Sequence, residues 1–428
     1  MSRPFKNIKG TFDILPFAAE HDGTTVPASH VWQFAEERIR EVMATFAVNE
    51  IRTPVLEPTE LIARGVGELT DIVSKEMFAF ERGKTSYVLR PEITAPVMRA
   101  HIQHRLDQSG GVQRLYYIGP CFRAERPQKG RYRQFHQFGV EFIGSAEPVA
   151  DAEAIALMMR IYSGLGIVNT RLRINTLGDA SSRPRYREAL REYFAPYVAD
   201  LTEASRERLD TNPLRILDTK VPHEQNLLAN APRLIDFVDP ESLRHYDEVK
   251  RYLADVDIEY VEDPILVRGL DYYTRTAFEL ESPDLGAQSA LAGGGRYDLL
   301  ASELGSKSPI PAVGFAAGFE RLFLALAAQG LADQEPPGPE VFIVPLGEEA
   351  VRRAFEIAQV LRDRGRRVAY DLLGRSLKAQ MREANRQGAK WTMILGADEL
   401  ERGRVEIKNM ETGEQTDVEM GKIAHFFS

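Results

Sequence analysis

The chain has 428 residues, of which 43% are hydrophobic and 27% are charged. These proportions are ordinary for a folded globular protein, and they exclude a disordered or low-complexity chain. The formal net charge of −9 also excludes a protein that coats duplex nucleic acid along its whole length, so any contact with nucleic acid must be local.

Cysteine content and hydropathy indicate the cellular setting. The single cysteine, Cys121, excludes an intrachain disulfide and favours a reducing, cytoplasmic compartment. The most apolar stretch, residues 318–329, is interrupted by Glu320 and Arg321, and no run of 18 apolar residues occurs. We therefore predict no membrane span. At roughly 150 residues per domain, the length predicts about three domains.

The first part of the chain predicts alternating helices and strands. Residues 29–47 have the apolar spacing of an amphipathic helix, with Ser29 as the candidate N-cap. Strand-forming residues at 76–81 and 86–90 predict a hairpin. The elements predicted next, in chain order, are a helix at 92–106, strands at 114–123 and 133–143, and a helix at 149–165.

A change in composition near residue 178 predicts an insertion. Helical, charge-rich segments dominate 178–261, and the clearest are 183–194 and 240–255. The elements predicted after it are strands at 264–281 and 287–292, a glycine-rich turn, a strand at 312–317 and a helix at 318–329. Residues 1–177 and 262–331 would then form one core domain around a helical insertion domain.

Proline-rich residues mark the start of a final domain. The segment ADQEPPGPE predicts a linker at 332–339. Residues 340–428 follow a βαβαβ pattern, which is typical of a small α/β domain with a largely parallel sheet. Within it, residues 362–390 carry nine Lys or Arg against three Asp or Glu. This excess is consistent with a solvated helix face or with a basic patch for a phosphate backbone.

Several common catalytic motifs are absent from the sequence. It contains no GxxxxGK[ST] phosphate loop, no GxGxxG after a strand, no HExxH and no GxSxG. His101 and His104 are three residues apart on a predicted helix but have no obvious third ligand. We interpret them as surface or supporting residues and not as a metal site.

The most informative segment is the pair of strands in 119–144. Strand alternation places apolar residues on one face and Gln137 and Glu141 on the other, so this polar pair faces a cavity or solvent. The connecting loop is basic, because residues 123–133 carry five positive charges against one negative. Such a loop is either a mobile, solvated hairpin or a contact for a phosphorylated substrate with a polyanionic partner.

Three further segments have unusual polar or glycine patterns. LVRGLDYY places Arg268 next to Gly269, where the backbone can approach a ligand, and two tyrosines follow. The run Gly293–Gly295 leaves bare backbone that could pack on a flat ring, although a turn is the commoner reason for such a run. In VGFAAGFERL, a small-residue strand leads into a helix with Arg321 in its first turn, where an arginine is more often simply exposed.

Together these segments resemble the motifs of the class II aminoacyl-tRNA synthetases, and within them the histidyl-tRNA synthetase family. IRTPVLEPTELIARGVGELTDIVSKEMFAF is similar to the first, dimer-forming motif, FRAERPQKGRYRQFHQ to the second motif with its loop, and VGFAAGFERL to the third. LVRGLDYYTR and GGGRYD resemble two signatures of the histidine enzymes. The resemblance covers essentially the whole chain. One departure is Ile93, where many bacterial relatives carry glycine, and we expect only local repacking there.

The resemblance implies a role for each matching residue at the phosphate end of the site. Arg123 would hold the α-phosphate of ATP, and Arg321 would hold its γ-phosphate. Arg268 would lie between the amino-acid carboxylate and the α-phosphate, so that Arg268 and Arg123 would be the catalytic residues. Arginine suits this task because it stays protonated and binds oxygen pairs with a forked geometry.

The same resemblance implies the contacts for the amino acid and for tRNA. The implied contacts are Glu92, Thr94 and Gln137 for the α-amino group, Glu141 and Tyr273 for the imidazole nitrogens, and Tyr272 with the glycine run for the pocket wall. The loop residues Arg126, Gln128 and Lys129 would contact the acceptor end of the tRNA.

The resemblance also implies a fold and a function. The protein would activate L-histidine with ATP to histidyl-adenylate and transfer it to histidine tRNA. The fold would be α+β: a class II antiparallel-sheet catalytic core of six or seven strands with a helical insertion, followed by an α/β anticodon-binding domain at 340–428. Mg²⁺ with ATP and a homodimer are also implied.

Two other functions are weighed against this interpretation. The regulatory subunit of ATP phosphoribosyltransferase resembles the synthetase core, binds histidine and is not catalytic. It typically lacks the anticodon domain and has degraded LVRGLDYY and arginine motifs, whereas this chain keeps them all. A general RNA-binding protein would explain the basic segments but not the residues that match an ATP and amino-acid site.

Overall fold

The structure is a computed structural model that describes residues 5–21, 23–67, 70, 72–217, 219, 221–267, 272–332 and 338–427. The chain forms two compact units, Met1–Gln334 and Glu335–Ser428. Most of the predicted linker, residues 333–337, lies outside the described residues. In the part of the chain that the structure describes, no helix is long and apolar enough to cross a membrane.

The strands are numbered in chain order. They are β1 (Ala19–His21), β2 (Thr24–Val26), β3 (Asn49–Glu50), β4 (Leu56–Pro58), β5 (Phe78–Arg82), β6 (Thr85–Leu89), β7 (Gln113–Phe122), β8 (Gln134–Ile143), β9 (Arg171–Thr176), β10 (Val261–Glu262), β11 (Thr274–Glu281), β12 (Ala290–Arg296), β13 (Ala312–Gly318), β14 (Val341–Pro345), β15 (Val368–Tyr370), β16 (Trp391–Leu395), β17 (Arg404–Asn409) and β18 (Gln415–Glu419).

The helices are numbered in the same way. They are α1 (Ser29–Thr45), α2 (Thr59–Val66), α3 (Thr94–Gln103), α4 (Pro148–Gly164), α5 (Ser182–Phe194), α6 (Glu203–Thr211), α7 (Pro222–Leu228), α8 (Pro240–Asp255), α9 (Leu300–Glu303), α10 (Phe319–Ala328), α11 (Glu348–Arg362), α12 (Leu377–Arg386), α13 (Ala397–Arg402) and α14 (Ile423–Phe426). Short 3-10 helices lie between several of them, and one π-helical turn is formed by Ile72–Glu76.

An eight-stranded sheet organises the first unit. Its strand order is β10-β9-β11-β12-β13-β8-β7-β3. The six central strands are antiparallel, and the two edge strands, of two residues each, pair in parallel with β9 and β7. The sheet therefore has more strands than the six or seven expected, because a two-residue strand is too short to show a period in the sequence. Separate small sheets are formed by β4-β6-β5 and by β1-β2.

The two faces of this sheet are covered differently. On one face Phe138, Val140 and Phe142 of β8 pack in one apolar cluster with buried residues of α1, α4, α8 and α10, as the alternation predicts. On the other face a second cluster includes Tyr117 of β7 and Tyr186 of α5. The helical segment between β9 and β10 is thus divided: α5 packs on the second face, whereas α8 packs against α4 on the first.

Four local predictions were wrong in detail. The triple glycine does not form a turn, because Gly293, Gly294 and Gly295 lie inside β12 and pair with both β11 and β13. The N-cap of α1 is Ala28, and no side chain caps the helix, so Ser29 is its first residue. The strand predicted from 264 begins only at Thr274, and α3 ends at Gln103, one residue before His104.

The second unit is a five-stranded sheet with the order β15-β14-β16-β17-β18. The three predicted strands β14, β15 and β16 are parallel, in keeping with the βαβαβ pattern. An antiparallel hairpin, β17 and β18, extends the sheet beyond the prediction. Alternate residues of β14 point into two separate apolar clusters, so both faces of this sheet are covered.

A buried ion pair joins β12 to the start of α4. Arg296 and Asp151 are both fully buried, and the guanidinium bonds both carboxylate oxygens. Arg296 also donates to the carbonyls of Ser145 and Glu147 and to Asp298, so every side of it is satisfied. Although burial alone would raise the pKa of Asp151, the charge of Arg296 lowers it to about 2.

Substitution of Asp151 by asparagine should destabilise the protein by about 3–5 kcal/mol at pH 7, because Arg296 would lose its closest counter-charge while remaining buried. Since the folded-state pKa lies below the unfolded value of about 4, this contribution is complete at neutral pH and is lost as the pH falls from about 4 towards 2. Urea unfolding would measure it. The control Glu60→Gln removes an exposed partner of Arg64 and should change stability by less than about 1 kcal/mol. Equal effects of the two substitutions would contradict the prediction.

Candidate active site

An open cavity of about 490 Å³ lies over the second face of the large sheet, and we call it the central cavity. Most residues that the sequence singles out meet in its lining, although they come from six separate segments of the chain. These residues are Glu92, Thr94, Arg123, Gln137, Tyr272, Tyr273, Gly293 and Arg321. Tyr272 and Tyr273 are both buried. Consecutive residues of a regular strand point to opposite faces, but these two tyrosines lie before the start of β11.

Glycines on the central strands leave room for buried side chains near the cavity. A methyl group on Gly314 would overlap the Glu141 carboxylate, and one on Gly139 would overlap the Tyr117 hydroxyl. A methyl group on Gly295 would lie 2.9 Å from the Tyr273 ring. The strands thus carry no side chains at these points, which lets side chains from neighbouring strands lie flat across them.

The N-terminus of α3 forms one wall of the cavity. The Glu92 carboxylate accepts hydrogen bonds from the backbone N–H groups of Thr94 at 2.7 Å and Ala95 at 3.0 Å. Burial raises the pKa of Glu92, while these two bonds and the charge of Arg123 oppose the rise. The carboxylate is therefore fixed in place at the helix start, with lone pairs left for a ligand.

Glu141 lies beneath the open cavity and does not line it. Its carboxylate accepts a hydrogen bond from the Thr94 hydroxyl at 2.6 Å and another from the Tyr297 hydroxyl. Burial raises the pKa of Glu141 to about 8, although both hydroxyls favour the charged form. The prediction that this residue faces a cavity or solvent is thus modified: Glu141 is buried, and its carboxylate faces the hydroxyls of Thr94 and Tyr297.

Neighbouring groups hold the side chains of Arg123 and Gln137 in place. Arg123 donates from Nε to the Pro91 carbonyl at 3.0 Å, and its guanidinium lies over the Phe135 ring. Its terminal nitrogens make no hydrogen bond to the described residues. Gln137 accepts from the Cys121 thiol at 3.3 Å, and burial raises the pKa of that thiol to about 12, so it remains a donor.

Arg321 stands between the central cavity and a neighbouring one. It donates to the Ala290 carbonyl at 2.9 Å. Its pKa is lowered by burial and then by the charge of Arg131, which stands near it. A second cavity of about 490 Å³, the outer cavity, shares Arg131, Glu279, Ala290 and Arg321 with the central one. The two cavities therefore meet at a cationic boundary.

The 124–132 loop is exposed at its tip. Arg126, Gln128 and Lys129 are solvent-exposed and line neither cavity. The loop is closed by backbone hydrogen bonds between Gln128 and Arg131 in both directions. Arg131 pairs with Glu125 at 3.3 Å, which places its charge towards the cavities.

Some residues could not be anticipated or placed. Arg268, Gly269 and Asp271 lie outside the described residues. No separate role was predicted for Tyr117, Tyr297 or Glu279. In the structure Glu279 lines the central cavity, and Tyr117 and Tyr297 lie beside Glu141. For Tyr297 a signal existed, since it is the tyrosine of the GGGRYD segment.

Metal-binding residues are sparse in the site. Within the ranges that the structure describes, no group of three or more His, Cys, Asp or Glu side chains is arranged to hold a metal ion. Carboxylates do line the central cavity, however, at Glu76, Glu125, Glu279 and Glu320. Of these, Glu320 accepts from the His136 backbone and lies 3.1 Å from its ring nitrogen.

Comparison with known proteins agrees with this architecture. A family model described as histidyl-tRNA synthetase matches residues 28–322, and one described as anticodon binding domain matches residues 340–428. A histidine–tRNA ligase of Chloroherpeton thalassium is 50% identical over 98% of this chain and 96% of its own length. One of Chlorobium phaeobacteroides is 51% identical, over 96% of this chain and 93% of its own.

A solved structure gives the same result for the fold. Apo histidyl-tRNA synthetase of S. aureus matches with a TM-score of 0.82 and 39% identity, over 99% of this chain and 100% of that one. Fold and matches together define an aminoacyl-tRNA ligase with the class II antiparallel-sheet core and an anticodon-binding domain. More narrowly, the chain belongs to the histidyl-tRNA synthetase family.

Proposed function

We propose that the central cavity is where the protein activates L-histidine with ATP to form histidyl-adenylate, which it then transfers to histidine tRNA. The observation that carries this proposal is the division of the cavity. Arg123 and Arg321 provide a cationic part, whereas Glu92, Thr94 and Gln137 provide a polar part, in which Thr94 is bonded to the buried Glu141. One site thus contains positive charge that can bind a polyphosphate and polar groups that can bind an amino acid.

The cationic part suits the first reaction. A carboxylate oxygen of histidine attacks the α-phosphorus of ATP, the bond from that phosphorus to the bridging oxygen breaks, and pyrophosphate leaves. Two anions must approach each other, so fixed positive charge lowers the barrier without taking part covalently. Arg123, whose terminal nitrogens make no hydrogen bond to the described residues, would hold the α-phosphate, and Arg321 would hold the γ-phosphate. Arg268 keeps the role that the resemblance implies.

The polar part suits the amino acid. Glu92 and Gln137 offer acceptor oxygens for an α-ammonium group, and the hydroxyl of Thr94 lies beside them. Glu141 would accept from one imidazole nitrogen and Tyr273 would bond the other, with Tyr272 against the ring. Buried polar groups left unpaired by other side chains would discriminate strongly against them.

Mg²⁺ is proposed to arrive with ATP. Mg²⁺ usually retains several waters and is bound by one or two carboxylates together with substrate phosphates. The carboxylates of Glu76 and Glu279 in the cavity lining fit that requirement, and the described residues hold no preformed three-ligand group. When bound, the ion would offset negative charge on the phosphates.

Transfer needs contacts with tRNA at two places. A ribose hydroxyl at the tRNA 3′ end attacks the carbonyl carbon of the adenylate, and AMP leaves. We propose that the exposed Arg126, Gln128 and Lys129 contact the acceptor end, and that the second unit binds the anticodon. Forked, amide and point-charge donors in the loop suit base edges and phosphates.

Alanine at both Arg126 and Gln128 should leave histidine-dependent pyrophosphate exchange nearly unchanged, because neither side chain lines the cavity. Transfer should lose about 1–3 kcal/mol for each base contact removed. Single-turnover transfer from preformed adenylate would measure this. Alanine at Arg64 and Gln103, which are exposed elsewhere, is the matched control. Normal transfer, or an equal fall in adenylation, would remove the loop from tRNA recognition.

A homodimer and a cytoplasmic location are also proposed. Leu56 and Phe80, on the small sheet β4-β6-β5, are exposed apolar residues in the segment that resembles the dimer-forming motif. An apolar surface of this kind is suited to a second copy of the chain. Sedimentation of the full chain would test the dimer. A reducing compartment is supported by the single, buried cysteine.

One assay separates the enzyme from the regulatory subunit of ATP phosphoribosyltransferase. We expect ATP–pyrophosphate exchange with histidine and with none of the other nineteen standard amino acids at a comparable rate. Charging of histidine tRNA would follow. Histidine binding without exchange would favour the regulatory function, although the match of residues 340–428 to an anticodon-binding model speaks against it.

A further inference from the structure

Three separate parts of the chain converge on the Glu141 carboxylate. Thr94 donates to one oxygen at 2.6 Å, and Tyr297 donates to the other. Gly314, on the neighbouring strand β13, is paired with Glu141 and lacks the side chain that would displace the carboxylate. The carboxylate is therefore held from both ends and from below.

We propose that Tyr297 is a positioning residue for amino-acid selection: with Thr94 it holds the Glu141 carboxylate flat against Gly314, in an orientation that leaves the remaining lone pairs for an imidazole ring. The inference rests on the proposed function in one respect, that Glu141 receives the imidazole. The Tyr297 hydroxyl is already used by its bond to the Glu141 carboxylate, so we assign its effect on the substrate to Glu141.

The hydrogen-bond capacity of the group supports this role. A carboxylate offers about four acceptor positions, and the two hydroxyls take one on each oxygen. Without the Tyr297 hydroxyl the carboxyl could rotate, and it would be more easily protonated, since burial already raises its pKa to about 8. Either change makes it a poorer acceptor for a ring N–H.

A second buried hydroxyl adds to the polar surroundings of this carboxylate. Tyr117 is 2% exposed, and its hydroxyl lies over Gly139, close to Glu141 and Thr94. The hydroxyls around Glu141 thus come from α3, from β7 and from the residue that follows β12.

The position of Tyr297 is itself rigid. Its ring packs edge-on against those of Tyr272 and Tyr273, with centroids 5.6 and 6.4 Å away. The preceding residue, Arg296, is fully buried and tied to Asp151 and to two backbone carbonyls. These contacts restrict the Tyr297 ring, and therefore its hydroxyl, as a positioning residue requires.

The test compares histidine with β-(2-thienyl)alanine, which has a five-membered ring of similar size but no ring nitrogen. Tyr297→Phe removes only the hydroxyl. In histidine-dependent pyrophosphate exchange we expect the KM for histidine to rise about 10- to 100-fold, as for a lost hydrogen bond to a charged group. The rate at saturating histidine and the KM for ATP should stay within a few-fold. The inhibition constant of thienylalanine should not change, because this analogue forms no bond to Glu141.

A double-mutant cycle shows whether Tyr297 acts through Glu141. On a Glu141→Gln background, Tyr297→Phe should add little to the KM for histidine. The control is Tyr186→Phe, which removes another buried hydroxyl, one that donates to the Pro232 carbonyl at 2.9 Å. It should leave both constants unchanged. Melting temperatures of all variants show whether each is folded.

Each outcome is decisive. A KM for histidine that rises alone, and that is coupled to Glu141, supports the inference. A KM that does not change overturns it, as does a parallel rise in the inhibition constant of thienylalanine, which would indicate general damage to the pocket. If Glu141→Gln itself leaves the KM for histidine unchanged, the assignment of Glu141 to the imidazole is wrong. A wild type that shows no histidine-dependent exchange would instead overturn the proposed function.

Discussion

Replacing Arg321 by alanine is expected to slow histidine-dependent pyrophosphate exchange by about 10²- to 10³-fold, the usual loss when one fixed donor to a charged transition state is removed. Arg321 lies at the boundary of the two cavities, and within the described part of the chain its side chain makes one hydrogen bond, to the Ala290 carbonyl. Its loss should therefore affect the bound polyphosphate much more than the fold. Pre-steady-state formation of adenylate would measure the effect.

Two further variants sharpen this experiment. Arg321→Lys keeps the charge and loses the forked geometry, so it should recover only part of the rate. Arg64→Ala, which removes an exposed arginine of α2, should behave as wild type. A folded Arg321→Ala variant with a near-normal rate of adenylate formation would remove this residue from the phosphate site.

A chain that ends at residue 334 should still activate histidine but should charge tRNA at least about 100-fold less efficiently. The first unit contains the whole of both cavities, whereas the second unit has its own apolar clusters on both faces of its sheet. Activation and anticodon contact are thus physically separable. The ratio of kcat/KM for tRNA to the rate of pyrophosphate exchange, in the truncated and full chains, is the measurement.

A substitution within the full chain tests the same idea without truncation. Lys378 and Arg382 lie one turn apart on α12, are exposed, and make no ion pair with the described residues. If each contacts a phosphate, alanine at both positions should weaken charging at all tRNA sequences alike and lower the salt slope by about one for each contact. Arg352, which pairs with Glu348 on exposed α11, is the matched control position. If the chain that ends at residue 334 charged tRNA as efficiently as the full chain, the second unit would have another role.

Local sequence patterns predicted much of the site because they depend on near neighbours. Alternation in β8 assigned Phe138 and Val140 to the core and Gln137 to the opposite face, and the structure agrees. The order of segments that resemble the class II motifs indicated which residues would meet. Side chains at these positions are set by strand period and by helix starts, both of which are readable within about ten residues.

Other features had no local signature. The edge strands β3 and β10 have only two residues each. The apolar face of α8 shows that the helix packs on something, but not that its partner is α4. The triple glycine reads as a turn, because glycine favours turns in the absence of other information. In the sheet it is instead part of a strand, where the missing side chains leave room for the rings of Phe278 and Tyr273.

The sequence by itself determined the class of fold, and it named eight of the residues that line the central cavity. Tertiary structure alone decided how Glu141 is held, because its partners Thr94 and Tyr297 are 47 and 156 residues away along the chain. Contacts over such distances are set when the strands take their order in the sheet, and no period within a strand or helix records them. For the same reason, only the tertiary structure shows that Glu141 is buried, because the alternation of β8 indicates which face it occupies and not what covers it.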